Sequence, residues 1–325
     1  IWTKKRDGAD HNQLYDSVRT FAAGKDLCSG QVFEEASSEN GSTALGFISS
    51  ATSDGFVLTA GNHGTASIRT LLQNITGKTY VGWGWKAGGG AGSSNEDGSI
   101  NTTSTSVNQT AGFSISTWTG TGSNATVGHG LGAVPKMIIT KARSNTYDWY
   151  TYHASIGNTK NVYLNLTNAE SGASTSFHNN TNPTSSVWTA GGGVYNADYT
   201  FVTYAFAEKQ GYSKIGSYTG NGNVSGPMIW TGFKPAWILI KRSSTAGNDW
   251  GLFDNKRLGY NVNNEELRPS TTDVEQTDDR LDILANGFKI RLAGAGFNAS
   301  GDTFIYMAFA ENPFVTSTGV PATAR

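Results

Sequence analysis

One stretch of the sequence carries enough carboxylates to suggest metal chemistry. Calcium binds carboxylate oxygens in flexible loops, and Asp278, Asp279 and Asp282 are the candidate ligands. The stretch lacks the residue order of an EF-hand and its central glycine. Runs of charge are usually solvated, so an exposed loop is the favoured interpretation. The acidic residues of the stretch are Asp273, Glu275, Asp278, Asp279 and Asp282.

No other pattern predicts catalysis or a cofactor. The run GHGLG at 128–132 lacks the spacing of a dinucleotide loop, and the Gly-Lys-Thr at 77–79 has Leu72 where a P-loop requires glycine. The histidines are scattered and no GxSxG elbow occurs. Cys28 is the single cysteine, so no intrachain disulfide can form. The sequence predicts a non-enzyme, but any fold can bring two carboxylates together, which keeps a glycan-cleaving depolymerase as the alternative.

The composition indicates a β protein rich in turns. Glycine contributes 41 of 325 residues, aromatic residues 11% and charged residues 15%, against a usual ~25% charged. Such a mixture is typical of short strands joined by Gly/Asn/Ser turns. The net charge of −1 argues against nucleic-acid binding. No apolar run approaches the ~20 residues of a membrane helix, so membrane insertion is not expected.

Blocks of sequence recur along the chain with a period near 100 residues, which is the separation of Lys141 and Lys241. A strand-like block with this lysine occurs three times, as IWTKKR at 1–6, GAVPKMIITKARS at 132–144 and GFKPAWILIKRS at 232–243. A second block follows, as DHNQLYDSVR at 10–19, DWYTYHASIG at 148–157 and DWGLFDNKRLG at 249–259. A closing block follows in turn, as TYVGWGWKA at 79–87, TFVTYAFAE at 200–208 and TFIYMAFAE at 303–311.

An opening block precedes only the second and third copies. It reads GFSISTWTGTG at 112–122 and GYSKIGSYTGNG at 211–222, so that Trp118 corresponds to Tyr218. The first copy begins at its lysine block, with Ile1 aligned to Ile138 and Ile238. We therefore expect an incomplete first repeat whose gap is covered by an upstream segment or by a strand from a neighbouring chain.

These blocks predict an all-β chain of tandem antiparallel β-sandwich repeats of jelly-roll-like type, with few and short helices. The first repeat covers 1–90 without its opening strands, and the Gly/Ser/Asn/Thr-rich tract 91–111 is the predicted linker. The second repeat covers 112–210 and the third 211–316, with 317–325 as a C-terminal tail.

Aromatic residues divide into two groups by their position in the repeat. Those that recur in every copy, such as Phe201 and Phe304, are expected to build the core. Those that occur once, inside polar loops, are weak candidates for glycan contacts: Trp188, Tyr195 and Tyr260. A lone loop aromatic more often packs locally than binds a sugar.

The blocks GYSKIGSYTGNG, GFKPAWILIKRS, WGLFDNKR, NGFKI and GDTFIYMAFAENPF resemble a repeat found in tail-fibre and other virion-associated proteins of bacteriophages, especially cyanophages and marine phages. The resemblance implies a structural or receptor-binding protein of the virion, without catalytic residues. It implies as partners other tail or virion proteins, a host-surface glycan or protein, and further copies of the chain in a homotrimer. Trp83, Trp85 and Trp230 are the bulky residues expected at trimer contacts, and a capsid decoration or baseplate protein is a further alternative.

Overall fold

The structure is a computed structural model that describes residues 1–33, 35, 46–60, 73–258, 261 and 265–311. The described residues form antiparallel strands and one four-residue helix, which confirms the predicted all-β class. The strands of the first repeat are β1 (Trp2–Lys5), β2 (Gln13–Leu14), β3 (Leu27–Cys28), β4 (Phe47–Ala51), β5 (Phe56–Thr59) and β6 (Tyr80–Trp83).

The second and third repeats follow in the same order. The second contains β7 (Ser104–Asn108), β8 (Phe113–Thr119), β9 (Ala125–Gly128), β10 (Met137–Ala142), β11 (Tyr150–His153), β12 (Val162–Tyr163), β13 (Val187–Ala190) and β14 (Thr200–Phe206). The third contains β15 (Ser213–Thr219), β16 (Met228–Trp230), β17 (Pro235–Arg242), β18 (Gly251–Asp254), β19 (Leu281–Leu284), β20 (Gly287–Ile290), α1 (Ala295–Asn298) and β21 (Thr303–Ala310).

The larger sheets of the second and third repeats have one strand order. It is β11-β10-β14-β8 in the second repeat and β18-β17-β21-β15 in the third. The first repeat keeps this order as β2-β1-β6, and within the described residues its sheet ends there. A smaller sheet accompanies each larger one: β4-β5, β13-β9 and β16-β20-β19. The strand equivalences follow the sequence blocks.

Alternate residues of each larger sheet face two different cores. In β17, Trp237 and Leu239 point into a core shared by all three repeats, whereas Ile238 and Ile240 point toward the smaller sheet of their own repeat. β10 alternates in the same way. This is why the lysine blocks are apolar on both faces. The three repeats thus surround one common core instead of stacking in a row.

Residues 91–111, predicted as a linker, belong to the second repeat. Ser104–Asn108 form β7, which pairs with β8 along its whole length. The hydroxyl of Thr105 lies 3.0 Å from that of Ser116 and 2.9 Å from that of Thr102, all three buried. Side-chain hydroxyl pairs therefore help to hold this strand, in which Val107 is the one apolar residue. The predicted tail, 317–325, lies outside the described residues.

Candidate binding surfaces

The junctions between repeats follow one pattern that closes into a ring. Trp149 donates its indole N–H to the carbonyl of Cys28 at 2.9 Å, joining the second repeat to the first. Trp250, its counterpart, donates to the carbonyl of Tyr163 at 2.8 Å and joins the third repeat to the second. Asn12 stands in the same position of the first repeat. Its amide donates to the carbonyl of Arg268 at 3.0 Å, so the first repeat is joined to the third.

A second set of contacts repeats this cyclic order. The Tyr204 hydroxyl donates to Asp16 at 2.7 Å, and the Trp83 indole donates to Asp254 at 3.1 Å. In each case a closing strand reaches the preceding repeat of the ring. At the corresponding place His153 lies 3.2 Å from the carbonyl of Tyr306. Trp83, expected at a trimer interface, therefore serves a contact within the chain.

The buried carboxylates at these junctions are paired. Burial opposes ionisation of Asp16, but the Arg19 guanidinium 2.6 Å away outweighs it and lowers the pKa of that carboxyl. Asp254 and Arg257 repeat the arrangement at 2.7 Å, again with a lowered pKa at the aspartate. An ionised carboxylate in a fixed ion pair holds no proton to give. These groups are therefore built for packing and not for acid catalysis.

The repeated lysines are also structural. Lys4 and Lys241 are buried at 1% and 0% exposure and donate to backbone carbonyls, Lys4 to that of Asp10 at 2.6 Å and Lys241 to that of Asn248. Burial lowers the pKa of both ammonium groups to about 8. Lys4 also lies 3.3 Å from the carbonyl of Thr272 in the third repeat. These lysines thus fix loops, including one that crosses the ring closure.

Two of the three aromatic candidates are interior residues. Trp188 is 1% exposed and Tyr195 2%, with their ring centroids 5.5 Å apart and each about 5.5 Å from Trp118. Neither offers a face to a glycan in this conformation. The repeat explains the error: Trp188 in β13 takes the place of Phe288 in β20, one period later, so it is a core position of the repeat. Tyr260 lies outside the described residues.

The acidic candidates do not form a metal cluster. Asp278 is exposed and pairs with Arg280 at 2.7 Å, and Asp282 pairs with Arg291 at 3.0 Å. Asp279 is exposed. In the described part of the chain, no three His, Cys, Asp or Glu side chains come together as a metal site would require.

The smaller sheet of the third repeat presents an exposed apolar surface that sequence reasoning did not select as a binding site. Trp230 is 63% exposed and Met228 42%, on β16 at the edge of this sheet. Across the sheet Met228 pairs with Lys289 of β20, which pairs with Asp282 of β19. Trp230 lies opposite Gly287, where a Cβ atom would approach the Ile229 carbonyl to 2.0 Å. Glycine is therefore required beside the indole, and no side chain covers it from that position.

A second surface is the outer edge of β6 in the first repeat. A cavity of about 720 Å³ opens beside it, lined by Trp2 and Trp85, by Phe113 and Phe206, and by Trp237. All three repeats thus contribute aromatic walls. Phe56 lies against Gly82 at the same edge and is 36% exposed.

Comparisons with known proteins identify the family but no activity. None of the helices formed by the described residues is long and apolar enough to span a membrane. Neither the curated proteins nor the solved structures contain a match to the chain. One family model matches residues 1–313 and so takes in all three repeats as one unit. The chain belongs to the family described as Domain of unknown function (DUF7483).

Proposed function

We propose that the chain is a non-catalytic module of a bacteriophage tail fibre, which acts as a structural element and contacts the host surface. The sequence blocks that resemble phage virion repeats support the virion role. The closed ring of three repeats around one core supports a rigid, load-transmitting body. The proposed location is the virion, after assembly in the cytoplasm of the bacterial host.

Trp230 is the observation that carries the host-contact part of the proposal. It is the most exposed Trp or Phe of the described residues and is held on a three-stranded sheet. Lys289 and Asp282 lie in the neighbouring row of the same sheet. A flat ring beside hydrogen-bonding groups suits a pyranose, whose apolar face stacks on an indole while its hydroxyls bind polar side chains. The proposed ligand is a host-surface glycan.

A glycan-cleaving depolymerase is the enzyme alternative. It requires two carboxyl groups roughly 5–10 Å apart beside the bound sugar. Asp282 is the carboxylate of this sheet that lies nearest to Trp230 in the pairing register, and it forms an ion pair with Arg291. The non-enzyme proposal therefore predicts that incubation with host polysaccharide releases no reducing ends. Steady release by the purified chain would favour the depolymerase instead.

The homotrimer and the other virion partners stay predictions. Trp83 and Trp85 pack against the shared core of their own chain, so of the three tryptophans expected at trimer contacts Trp230 remains the exposed one. A mass measurement in solution at micromolar concentration tests the trimer. A stable monomer would contradict it.

Binding of the labelled chain to cyanobacterial and marine bacterial cells, and to their purified surface polysaccharides, tests the proposal. Trp230→Ala should abolish binding, because the stacking face is lost. Val134→Ala is the matched control, since Val134 is also exposed, at 46%, in the second repeat. Antibody labelling of virions in electron micrographs separates a fibre from a capsid decoration or a baseplate protein. Label on the capsid or baseplate, or equal binding by both variants, would contradict the proposal.

A further inference from the structure

Two strands of the second and third repeats have no counterpart among the described residues of the first repeat. In the second and third repeats, β14 and β21 each pair on one side with the lysine strand and on the other with an opening strand, β8 or β15. Within the described residues β6 pairs only with β1. Likewise β20 pairs with β16 and β13 with β9, whereas the described pairing of β5 is with β4 alone.

One continuous segment supplies both of these strands in the complete repeats. It comprises β8 and β9 in the second repeat and β15 and β16 in the third, just ahead of the lysine strand. The two open positions among the described residues of the first repeat therefore match a single continuous segment.

The pairing register shows which backbone N–H groups of β6 point away from β1, toward its open edge. The Arg6 N–H donates to the Thr79 carbonyl at 2.9 Å, so position 79 bonds toward β1. Antiparallel strands alternate their bonding direction, which directs the N–H groups of Gly82 and Gly84 away from β1. Ala207 and Ala310 stand at the place of Lys86, two residues beyond Gly84 in the same alternation. Their N–H groups donate to the carbonyls of Gly112 and Tyr212 in the opening segments at 2.8 and 2.7 Å.

The side chains near the open edge of β6 indicate which residue types an added strand should carry. On the outer face, Trp118 of β8 stacks on Phe201 at 4.6 Å and contacts Trp188 at 5.6 Å. Tyr218 of β15 does the same with Phe304 at 5.0 Å and Phe288 at 6.4 Å.

In the first repeat the corresponding face holds Tyr80 and Phe56. Phe56 is 36% exposed, while Trp188 and Phe288 are 1% and 0% exposed. An aromatic residue placed where Trp118 lies in the second repeat would cover Phe56.

On the inner face, the opening strands of the other repeats carry an apolar residue. Ile115 pairs with Tyr204, and Ile215 pairs with Met307, in both cases directed into the shared core. The equivalent position on β6 is Trp83, whose ring centroid lies 6.4 Å from that of Trp2, a residue that lines the aromatic cavity. An apolar residue three positions before the aromatic one would enter this cavity.

We propose that the edge of β6, with the adjoining cavity, is an acceptor site for one extended polypeptide segment of the opening-strand type. The segment adds antiparallel to β6, places an apolar side chain opposite Trp83 and an aromatic one opposite Tyr80, and bonds to the N–H groups of Gly82 and Gly84. Strand addition of this kind takes affinity from the main-chain bonds and specificity from the alternate side chains.

A synthetic peptide provides the test. A dye-labelled peptide with the sequence of residues 211–220, GYSKIGSYTG, is added to the full chain and also refolded with it, and binding is followed by fluorescence anisotropy. We expect saturable micromolar binding and a raised Tm, because a ligand bound only by the folded state stabilises it. A peptide with I215D and Y218A should bind at least about tenfold more weakly.

A substitution in the chain locates the site. Gly84→Pro removes one outward N–H, and proline is tolerated at a sheet edge; nothing lies within 4 Å of the added Cβ. It should weaken binding about tenfold or more. Gly172→Pro, at an exposed and equally uncrowded glycine, should leave binding unchanged. Absence of binding in both formats, equal binding of the two peptides, or full binding by Gly84→Pro would each overturn the proposal.

Discussion

The Asn12 side chain donates a hydrogen bond to the Arg268 carbonyl, joining residues 256 positions apart in the chain at 3.0 Å. The same amide group accepts the indole N–H of Trp2 at 3.0 Å. Asn12 is completely buried, so truncation leaves two polar partners unpaired. Asn12→Ala should lower the free energy of unfolding by about 2 kcal/mol, as measured by chemical denaturation.

Asn158 provides the control for this substitution. Its bond to Asn182 is at the surface, where replacements usually change stability by within about 0.5 kcal/mol. If Asn12→Ala were as mild as Asn158→Ala, the ring closure would contribute little to the fold.

The third repeat alone should fail to fold as a soluble monomer. Separated from the others, residues 211–311 would expose Trp237, Leu239, Met307 and Phe309, which now line the shared core. Large exposed apolar surfaces drive association. Expression of this fragment, followed by size-exclusion chromatography and near-UV circular dichroism, is the measurement. A monodisperse, natively packed monomer would contradict the shared core.

His153 should make stability depend on pH. Burial lowers its pKa to about 4 from 6.5, so between these values the unfolded chain binds a proton that the folded chain excludes. Stability should therefore fall as the pH falls from 6.5 toward 4. Replacing the histidine with glutamine should flatten this dependence by roughly 1 kcal/mol per pH unit, seen in denaturation curves across the window.

The comparison must be made between parent and variant, because other groups titrate in the same range. His11 and His178 also have pKa values lowered to about 4 by burial. Asp26 acts oppositely: burial raises its pKa to about 7, so its contribution is lost as the pH rises through that value. An unchanged slope in His153→Gln would show that His153 titrates in the folded state as it does in water.

Calcium should have no effect on stability. Asp278 and Asp282 are each engaged by an arginine, and a cation would have to displace those pairs. Tm measured with calcium and with EDTA should be equal. A Tm that rises with calcium concentration and reverts in Asp278→Asn would restore the acidic stretch as a metal site.

The repeat was the part of the fold that the sequence predicted best. A lysine block flanked by apolar residues, with the same blocks following it in each copy, identified equivalent strands, and those strands occupy equivalent sheet positions. The ring itself was not predictable, because its closure depends on Asn12 taking the place of Trp149 and Trp250. Nothing in an asparagine signals that it can substitute for an indole donor.

The candidate site was predicted poorly, and for two physical reasons. The sequence comparison did not align Trp188 with Phe288, because the loops that flank them differ. In the structure both pack on the aromatic residue of an opening strand. The sequence predicts Trp230 only as a trimer contact, because the exposure of its indole depends on Gly287, which lies beside it only in the folded sheet. Trp188 and Phe288 are separated by the same number of residues as Lys141 and Lys241. This equal spacing was the signal that could have placed Trp188 in the core.

Hydrogen exchange tests the closed ring most directly. Amide exchange of the full chain is followed by mass spectrometry through increasing, sub-denaturing guanidinium concentrations, comparing peptides that cover β1, β10 and β17. If the three repeats share one core, these strands should converge on one opening free energy and one denaturant dependence. Opening of β1 at a distinctly lower free energy, with β10 and β17 still protected, would show that the first repeat is a separate unit and contradict the ring.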